Sequence, residues 1–408
     1  MSKLQDIINL DKKYYMNTFG DRVPVCFEYG KGVKLWDTEG KEYYDFLGGI
    51  AVNALGHSHP NLVNAIKEQA EKLIHCSSYY YIETQAQLAE LLVKNSCMDK
   101  VFFANSGAEA NEGAIKLSRI YFKRKNQPDK IEIITLEQSF HGRTLATIAA
   151  TGQNKHQKSY CPLTPSFISV PINNLEYMAN AINGTTCAVM VEPIQGESGV
   201  NLNNLEYMQG LRKLCDERNV LLIFDEVQCG LGRTGKLFAY EHFGIEPDIM
   251  TLAKALGGGF PIGALCAKEF VASAFSPGDH GSTFGGNPLA CAAGLAATNT
   301  IINDGLVENS AETGQYFMSK LNCLKDKHSL IKEVRGKGLM IGVEIIEPLA
   351  KTIKQMCFNK GFLIGSVEDN ILRFLPPLIT EPIDIDKLIE TLKEIFSQLE
   401  ETHHERLS

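Results

Sequence analysis

The sequence predicts an α/β fold: a large domain on a mostly parallel sheet, then a smaller C-terminal α/β domain. Two observations carry this. Short continuous apolar runs ("KVFFANSG", "IEIITLE", "TCAVMVEP", "NVLLIFDE", "PDIMTLA", "IGALCAK") are separated mostly by helix-length segments. Such runs read as strands buried on both faces, and helices between them cover a parallel sheet. After "NPLACAAGLAATNTIIN" the texture changes to short strands mixed with helices.

In chain order, "VKLWDTEGKEYYDF" gives a short strand signal in an N-terminal arm. "NLVNAIKEQAEKLIH" and "TQAQLAELLVKNS" carry helical periodicity. "EANEGAIKLSRIYFKRK" is helical again, with Glu112 and Lys116 spaced as an i,i+4 pair. The apolar strands follow, then the long helix candidate around residue 290. "VRGKGLMIGVEI" and "ILRFLPPLI" read as strands of the last hundred residues, which close on a helix from about Asp384. The expected division is an arm over 1–55 packing with the small domain, a large domain over 56–305 and a small domain over 306–408. "NNLEYM" recurs at 173–178 and 203–208, and both copies read as helix starts capped by Asn.

Composition narrows the function. The 408 residues are 44% hydrophobic and 22% charged, as in ordinary globular chains, and the formal net charge is −8. No Lys/Arg block or basic tail suggests nucleic acid, so an anionic substrate must be held by a few placed arginines. Eleven scattered cysteines without C-x-x-C spacing read as small reduced core residues of a cytoplasmic chain. The N-terminus has no apolar signal-peptide core, and no run reaches the length of a membrane span.

Three motifs invite other chemistry. "GLGRTG" (Gly230–Gly235) matches G-x-G-x-x-G, and with Lys236 it approaches a phosphate-binding loop. Leu237 stands where a magnesium-binding hydroxyl belongs, and "DEVQ" separates the strand from the glycines, so a nucleotide site is not expected. "GHSHP", with His57 and His59, reads as a structural loop and not as a metal site. "THHER" near the C-terminus reads as a solvated tail.

Chemistry is expected where strand ends converge. In an open parallel sheet ligands bind at the carboxyl edge. Asp225 ends "LLIFD", Lys254 ends "DIMTLAK", and Ser106–Gly107–Ala108 opens a helix after "VFFAN". A desolvated lysine can lose its proton and form a Schiff base with an aldehyde. An aspartate can hold a protonated ring nitrogen, and a helix N-terminus can hold a phosphate. Aldehyde, pyridinium and phosphate are the handles of pyridoxal 5′-phosphate. The glycines after Lys254 leave room for backbone to approach it.

"FFANSGAEANEGAIKLSR", "FHGRT", "EPIQGESG", "IFDEVQCGLGRTG", "DIMTLAKALGGGFPIGA" and "HGSTFGGNP" together resemble the class III, or ω-, aminotransferases of fold type I. The resemblance spans nearly the whole chain. It implies pyridoxal 5′-phosphate as cofactor and a homodimer with shared active sites. Lys254 would be the Schiff-base lysine and proton shuttle, and Asp225 would pair with the pyridine nitrogen. Ser106, Gly107 and Ala108 would bind the phosphate, Phe140 and Val227 would pack on the two ring faces, and Gln228 would reach the ring hydroxyl. Thr283 would contact the phosphate of the other subunit. Arg373 would take the α-carboxylate of glutamate. Arg143 would take its far carboxylate, and equally the α-carboxylate of N-acetylornithine. Glu197 would cover Arg373 when that first carboxylate is absent. The reaction implied is transamination between N-acetylornithine and 2-oxoglutarate. 4-Aminobutyrate, ornithine and succinylornithine remain alternative amine donors. Ornithine-specific members carry a tyrosine where this chain has Ile50, which argues against free ornithine.

Overall fold

The computed structural model describes residues 3–407, with side chains through Glu401. Its centre is a seven-stranded sheet. The order is Lys100–Ala104, Gly263–Ala267, Ile249–Leu252, Leu221–Asp225, Thr186–Val191, Glu132–Leu136 and Phe167–Val170. Gly263–Ala267 runs antiparallel to both of its neighbours, and the remaining pairings are parallel. Phe167–Val170 is the strand the sequence did not announce. It lies at the edge, and two of its four residues are exposed, so it lacks the apolar continuity of the others.

Alternation along a strand explains the continuous runs. Leu221 and Ile223 face a core shared with Ala114, Leu117 and Phe122 of the helix Gly107–Arg124. Leu222 and Phe224 face the opposite core, with Met208, Leu211 and Cys215 of the helix Leu205–Arg218. Neither face sees water at these four positions, so apolar side chains fill both. The helices starting at Leu175 and Leu205 explain the repeated "NNLEYM". Asn174 and Asn204 each accept a hydrogen bond from the backbone N–H three residues on, at 2.8 and 2.7 Å.

The C-terminal sheet runs in the order Ile331–Lys337, Met340–Ile345, Ile371–Phe374, Gly365–Val367. The helices Leu306–Lys325, Ala350–Asn359 and Pro382–Leu407 contribute to its core. Phe46 from the N-terminal region is 1% exposed within that core. The strand Glu42–Asp45 pairs in parallel with Phe362–Leu363. The segment read as one strand signal is thus a hairpin, Lys34–Asp37 with Glu42–Asp45, whose turn is held by Asp37 accepting from the Glu39 and Lys41 N–H groups.

Other local readings resolve differently. Glu112 accepts from Thr144 Oγ1 and Lys116 reaches His280, so the expected helical pair gives way to tertiary partners. Cys161 and Cys323 are exposed, not core. Thr402–Arg406 continues the last helix, and its side chains lie outside the described residues. His57 Nε2 is 2.8 Å from Asp45, and His59 precedes Pro60 at the start of the helix Pro60–Lys72. In the "GLGRTG" loop Arg233 is buried and donates through Nη1 to the Leu339 and Pro376 carbonyls. That loop therefore joins the large sheet's periphery to the C-terminal part of the chain.

Candidate active site

The carboxyl ends of Lys100–Ala104, Leu221–Asp225 and Ile249–Leu252 border a cavity of about 420 Å³. Asp225 pairs in register with Thr251, which puts Lys254 one short step beyond the adjacent strand end. Lys254 heads the 3-10 turn Lys254–Gly257 with φ 45°, a conformation uncommon for a residue with a side chain. Its side chain is enclosed by protein except where it meets the cavity. Burial pushes its ammonium pKa down. Glu197 opposes that and Arg373 adds to it, and the net shift is downward. The shift makes the free amine that a nucleophilic lysine requires easier to reach. Of the three following glycines, Gly259 lines the cavity.

Asp225 is 3% exposed and lines the same cavity. Its Oδ2 receives His141 Nδ1 and Asn111 Nδ2, each at 2.8 Å, and its Oδ1 receives the Val227 N–H at 3.0 Å. Thr251 Oγ1 donates to Asn111 Oδ1 at 2.6 Å, which sets the amide with its donor toward Asp225. The carboxylate is therefore held rigidly on its protein side.

Ser106 caps the helix Gly107–Arg124, its Oγ accepting from Glu109 N at 3.2 Å. The first-turn N–H groups of Gly107 and Ala108 have no partners within the helix and sit at the positive end of its dipole. Both residues line the cavity. A Cβ on Gly107 would lie 2.8 Å from Val227 Cγ1, so only glycine permits this approach. The arrangement suits an anion.

Two arginines differ in setting. Arg143 is exposed at the cavity, its guanidinium 5.5 Å from the Phe140 ring centroid. Arg373, on the strand Ile371–Phe374, is buried and reaches the site only behind Glu197. Its Nη1 donates to the Gly196 carbonyl at 2.8 Å and lies 3.0 Å from Glu197 Oε1. Burial would raise the Glu197 carboxyl pKa, but Arg373, Lys254 and Gln228 outweigh it and the group stays ionised. Gln228 Nε2 donates to Glu197 at 2.8 Å, leaving Oε1 buried without a partner among the described residues.

Ser106, Gly107, Ala108, Phe140, Arg143, Glu197, Asp225, Val227, Gln228 and Lys254 thus share one cavity. Thr283 does not. It is exposed and lines a separate cleft with His75, Ser77 and Tyr79. Ile50 is 39% exposed and outside the cavity wall, which Val52 occupies instead. Sequence reasoning assigned no role to His141, Asn111 or Glu192. Asn111 had a signal. It stands with Ile115, Ser118 and Phe122 at helical spacing on the buried face, where a polar side chain needs a partner. Glu192 is buried, and burial pushes its carboxyl up to about 7 against the opposing influence of His141.

The family described as aminotransferase class-III matches residues 15–396. The acetylornithine aminotransferase of Caldanaerobacter subterraneus subsp. tengcongensis is 52% identical over 393 residues, 96% of this chain and 100% of that protein. That of Methanocaldococcus jannaschii is 52% identical over 392 residues, covering 96% and 98%. The crystal structure of the ornithine aminotransferase from Toxoplasma gondii superposes with a TM-score of 0.94 at 32% identity, covering 98% of this chain and 97% of that one. The acetylornithine aminotransferase from Elizabethkingia anophelis gives 0.87 at 35% identity, covering 98% and 100%.

Proposed function

Because the chain belongs to the class-III aminotransferases, pyridoxal 5′-phosphate enzymes of fold type I, we propose that it moves the δ-amino group of N-acetylornithine to 2-oxoglutarate. The products are N-acetylglutamate 5-semialdehyde and glutamate, a step of arginine biosynthesis. The observation that carries the reading is one cavity lined by Lys254, an open Arg143 and Glu197, with the buried Arg373 paired to Glu197 behind its wall. The names of the half-identical relatives support the donor.

The site residues fit the cofactor. The partnerless N–H groups of Gly107 and Ala108 suit its phosphate, and Gly107 leaves the room. Asp225, already oriented by His141 and Asn111, suits a protonated ring nitrogen. The unpartnered Gln228 Oε1 can accept from the ring hydroxyl while Nε2 stays on Glu197. Phe140 and Val227, both on the cavity wall, would pack on the two faces of the ring. When bound, the cofactor supplies an aldehyde for covalent capture of the amine and a ring that takes up an electron pair.

The chain's residues do the rest. Lys254 Nζ would hold the cofactor's aldehyde and would serve as the base that takes and returns the proton of the transfer. Asp225 would keep the ring nitrogen charged. Arg143 grips the α-carboxylate of N-acetylornithine, with Glu197 closed on Arg373. When glutamate binds, Glu197 moves aside, Arg373 takes the α-carboxylate and Arg143 the distal one.

The reading extends to a cytoplasmic homodimer. Leu73, Ile74, Tyr79, Tyr80, Tyr81 and Phe284 are all exposed, and large apolar side chains left in water favour a partner that covers them. Tyr79 lines the same cleft as Thr283, so a second copy covering this face would also cover Thr283, in keeping with the expectation that Thr283 contacts a neighbour's phosphate. The three-part division at 55 and 305 also belongs to this reading, supported by Phe46 in the C-terminal core. The test is direct. The cofactor-loaded chain, given N-acetylornithine and 2-oxoglutarate, should form glutamate. If none forms, the reading fails.

A further inference from the structure

Glu192 follows the strand Thr186–Val191 and is buried at the cavity wall. Its backbone is pinned. Asn203 Nδ2 donates to the Glu192 carbonyl at 2.9 Å and to the Pro193 carbonyl at 3.1 Å. Its side chain bridges two segments. Oε1 accepts from the Phe140 N–H at 2.8 Å, and Oε2 accepts from the Gly196 N–H at 3.2 Å. Gly196 in turn gives its carbonyl to Arg373. A Cβ on Gly196 would fall 1.9 Å from Gln228 Oε1, so the segment is packed tight on that side too.

The geometry points to Glu192 as a positioning residue that holds the Gly196 segment, and through it Arg373, in place while Glu197 swings away to admit a dicarboxylate. The inference rests on the reading of Arg373 and Glu197 given above. The ion pair to Glu197 is the contact that must break in each catalytic cycle. What remains on Arg373 is the Gly196 carbonyl, and that carbonyl is only as fixed as its own segment. Glu197 is the next residue, so its motion pulls directly on Gly196. A carboxylate anchored from the sheet and accepting the Gly196 N–H resists that pull. Because its other oxygen holds Phe140, the clamp also sets the distance between the ring-stacking side chain and the carboxylate site.

The role predicts a split between substrates. Glutamate needs Arg373 uncovered and in position, whereas N-acetylornithine binds with Glu197 closed on it. Glu192→Gln keeps the volume but sets an amide N–H₂ against one of the two backbone N–H groups. Single-turnover kinetics on the cofactor-loaded enzyme should show the apparent Kd for glutamate raised about tenfold, as expected for one charge-assisted hydrogen bond. N-acetylornithine, which shares the Phe140 contact but does not need Arg373 uncovered, should lose clearly less, so that the ratio of the two Kd values shifts several-fold towards N-acetylornithine. Glu192→Asp, whose shorter arm reaches one peptide only, should give the same split and serves if the Gln variant does not fold. Equal losses for both donors would mean that Glu192 merely supports the fold, and unchanged constants would mean that it holds nothing. Either result overturns the proposal. If the wild type does not use N-acetylornithine at all, the functional reading fails separately, and the comparison is made with any amine donor that the wild type accepts.

Discussion

Arg373 Nη1 stands 3.0 Å from Glu197 Oε1 and 2.8 Å from the Gly196 carbonyl, so the guanidinium is at once fixed by backbone and covered by a movable carboxylate. A covered arginine cannot take a carboxylate. In the reading proposed above, the position of Glu197 would decide which substrate the cavity accepts.

Glu197→Ala should leave Arg373 permanently open. Single-turnover rates with glutamate should hold or rise while those with N-acetylornithine fall, shifting their ratio by about tenfold. An unchanged ratio would remove Glu197 from the switch.

Lys254→Ala should abolish turnover, a loss of roughly 10³-fold or more, because anchor and proton carrier vanish together. Cofactor retained through Ser106–Ala108 and Asp225 would show as bound absorbance after gel filtration. Turnover within about tenfold of wild type would mean another group carries the proton.

Asp225→Ala should slow the first half-reaction by about 10²-fold or more, since no charge then holds the ring nitrogen protonated. Asp225→Glu should be milder. Normal rates in the alanine variant would take Asp225 out of the mechanism.

Glu226, beside Asp225, has a different use. Its oxygens accept from the Ala239 and Tyr240 N–H groups, pinning the "GLGRTG" loop. Burial pushes its pKa from 4.5 to about 8 against those two hydrogen bonds. The folded chain keeps a proton that the unfolded chain releases, so this contribution is full below about pH 4.5 and is lost as pH rises through about 8. Glu226→Gln should flatten the fall of melting temperature between pH 5 and 9. A slope equal to wild type contradicts the assignment.

Much of this was legible in the sequence because the relevant constraints are local. Strands buried on both faces leave unbroken apolar runs, and a lysine or aspartate ending such a run stands out. The helix opening at Gly107 is marked by its Ser106 cap. What the sequence hid is tertiary. His141 lies in "FHGRT", yet only the fold sets it against Asp225, 84 positions on. Glu192 reads as a strand-end acid until Phe140 and Gly196 are seen on its oxygens. Phe167–Val170 hid because an edge strand is half wet. The direction of Gly263–Ala267 hid because an apolar run has no polarity along the chain.

The donor is the central claim, and kcat/KM for N-acetylornithine, ornithine and 4-aminobutyrate at fixed 2-oxoglutarate tests it most directly. Ornithine differs from its acetyl derivative by a cation at the α-nitrogen. Apolar Val52 on the cavity wall would offer that cation no partner if the α-nitrogen is set against it. A missing hydrogen bond to a charged group costs roughly 1.5–3 kcal/mol, on the order of tenfold to over a hundredfold in rate. N-acetylornithine should therefore lead ornithine by at least that lower factor and lead 4-aminobutyrate as well. Equal values for ornithine and its acetyl derivative, or a clear lead for 4-aminobutyrate, would contradict the account.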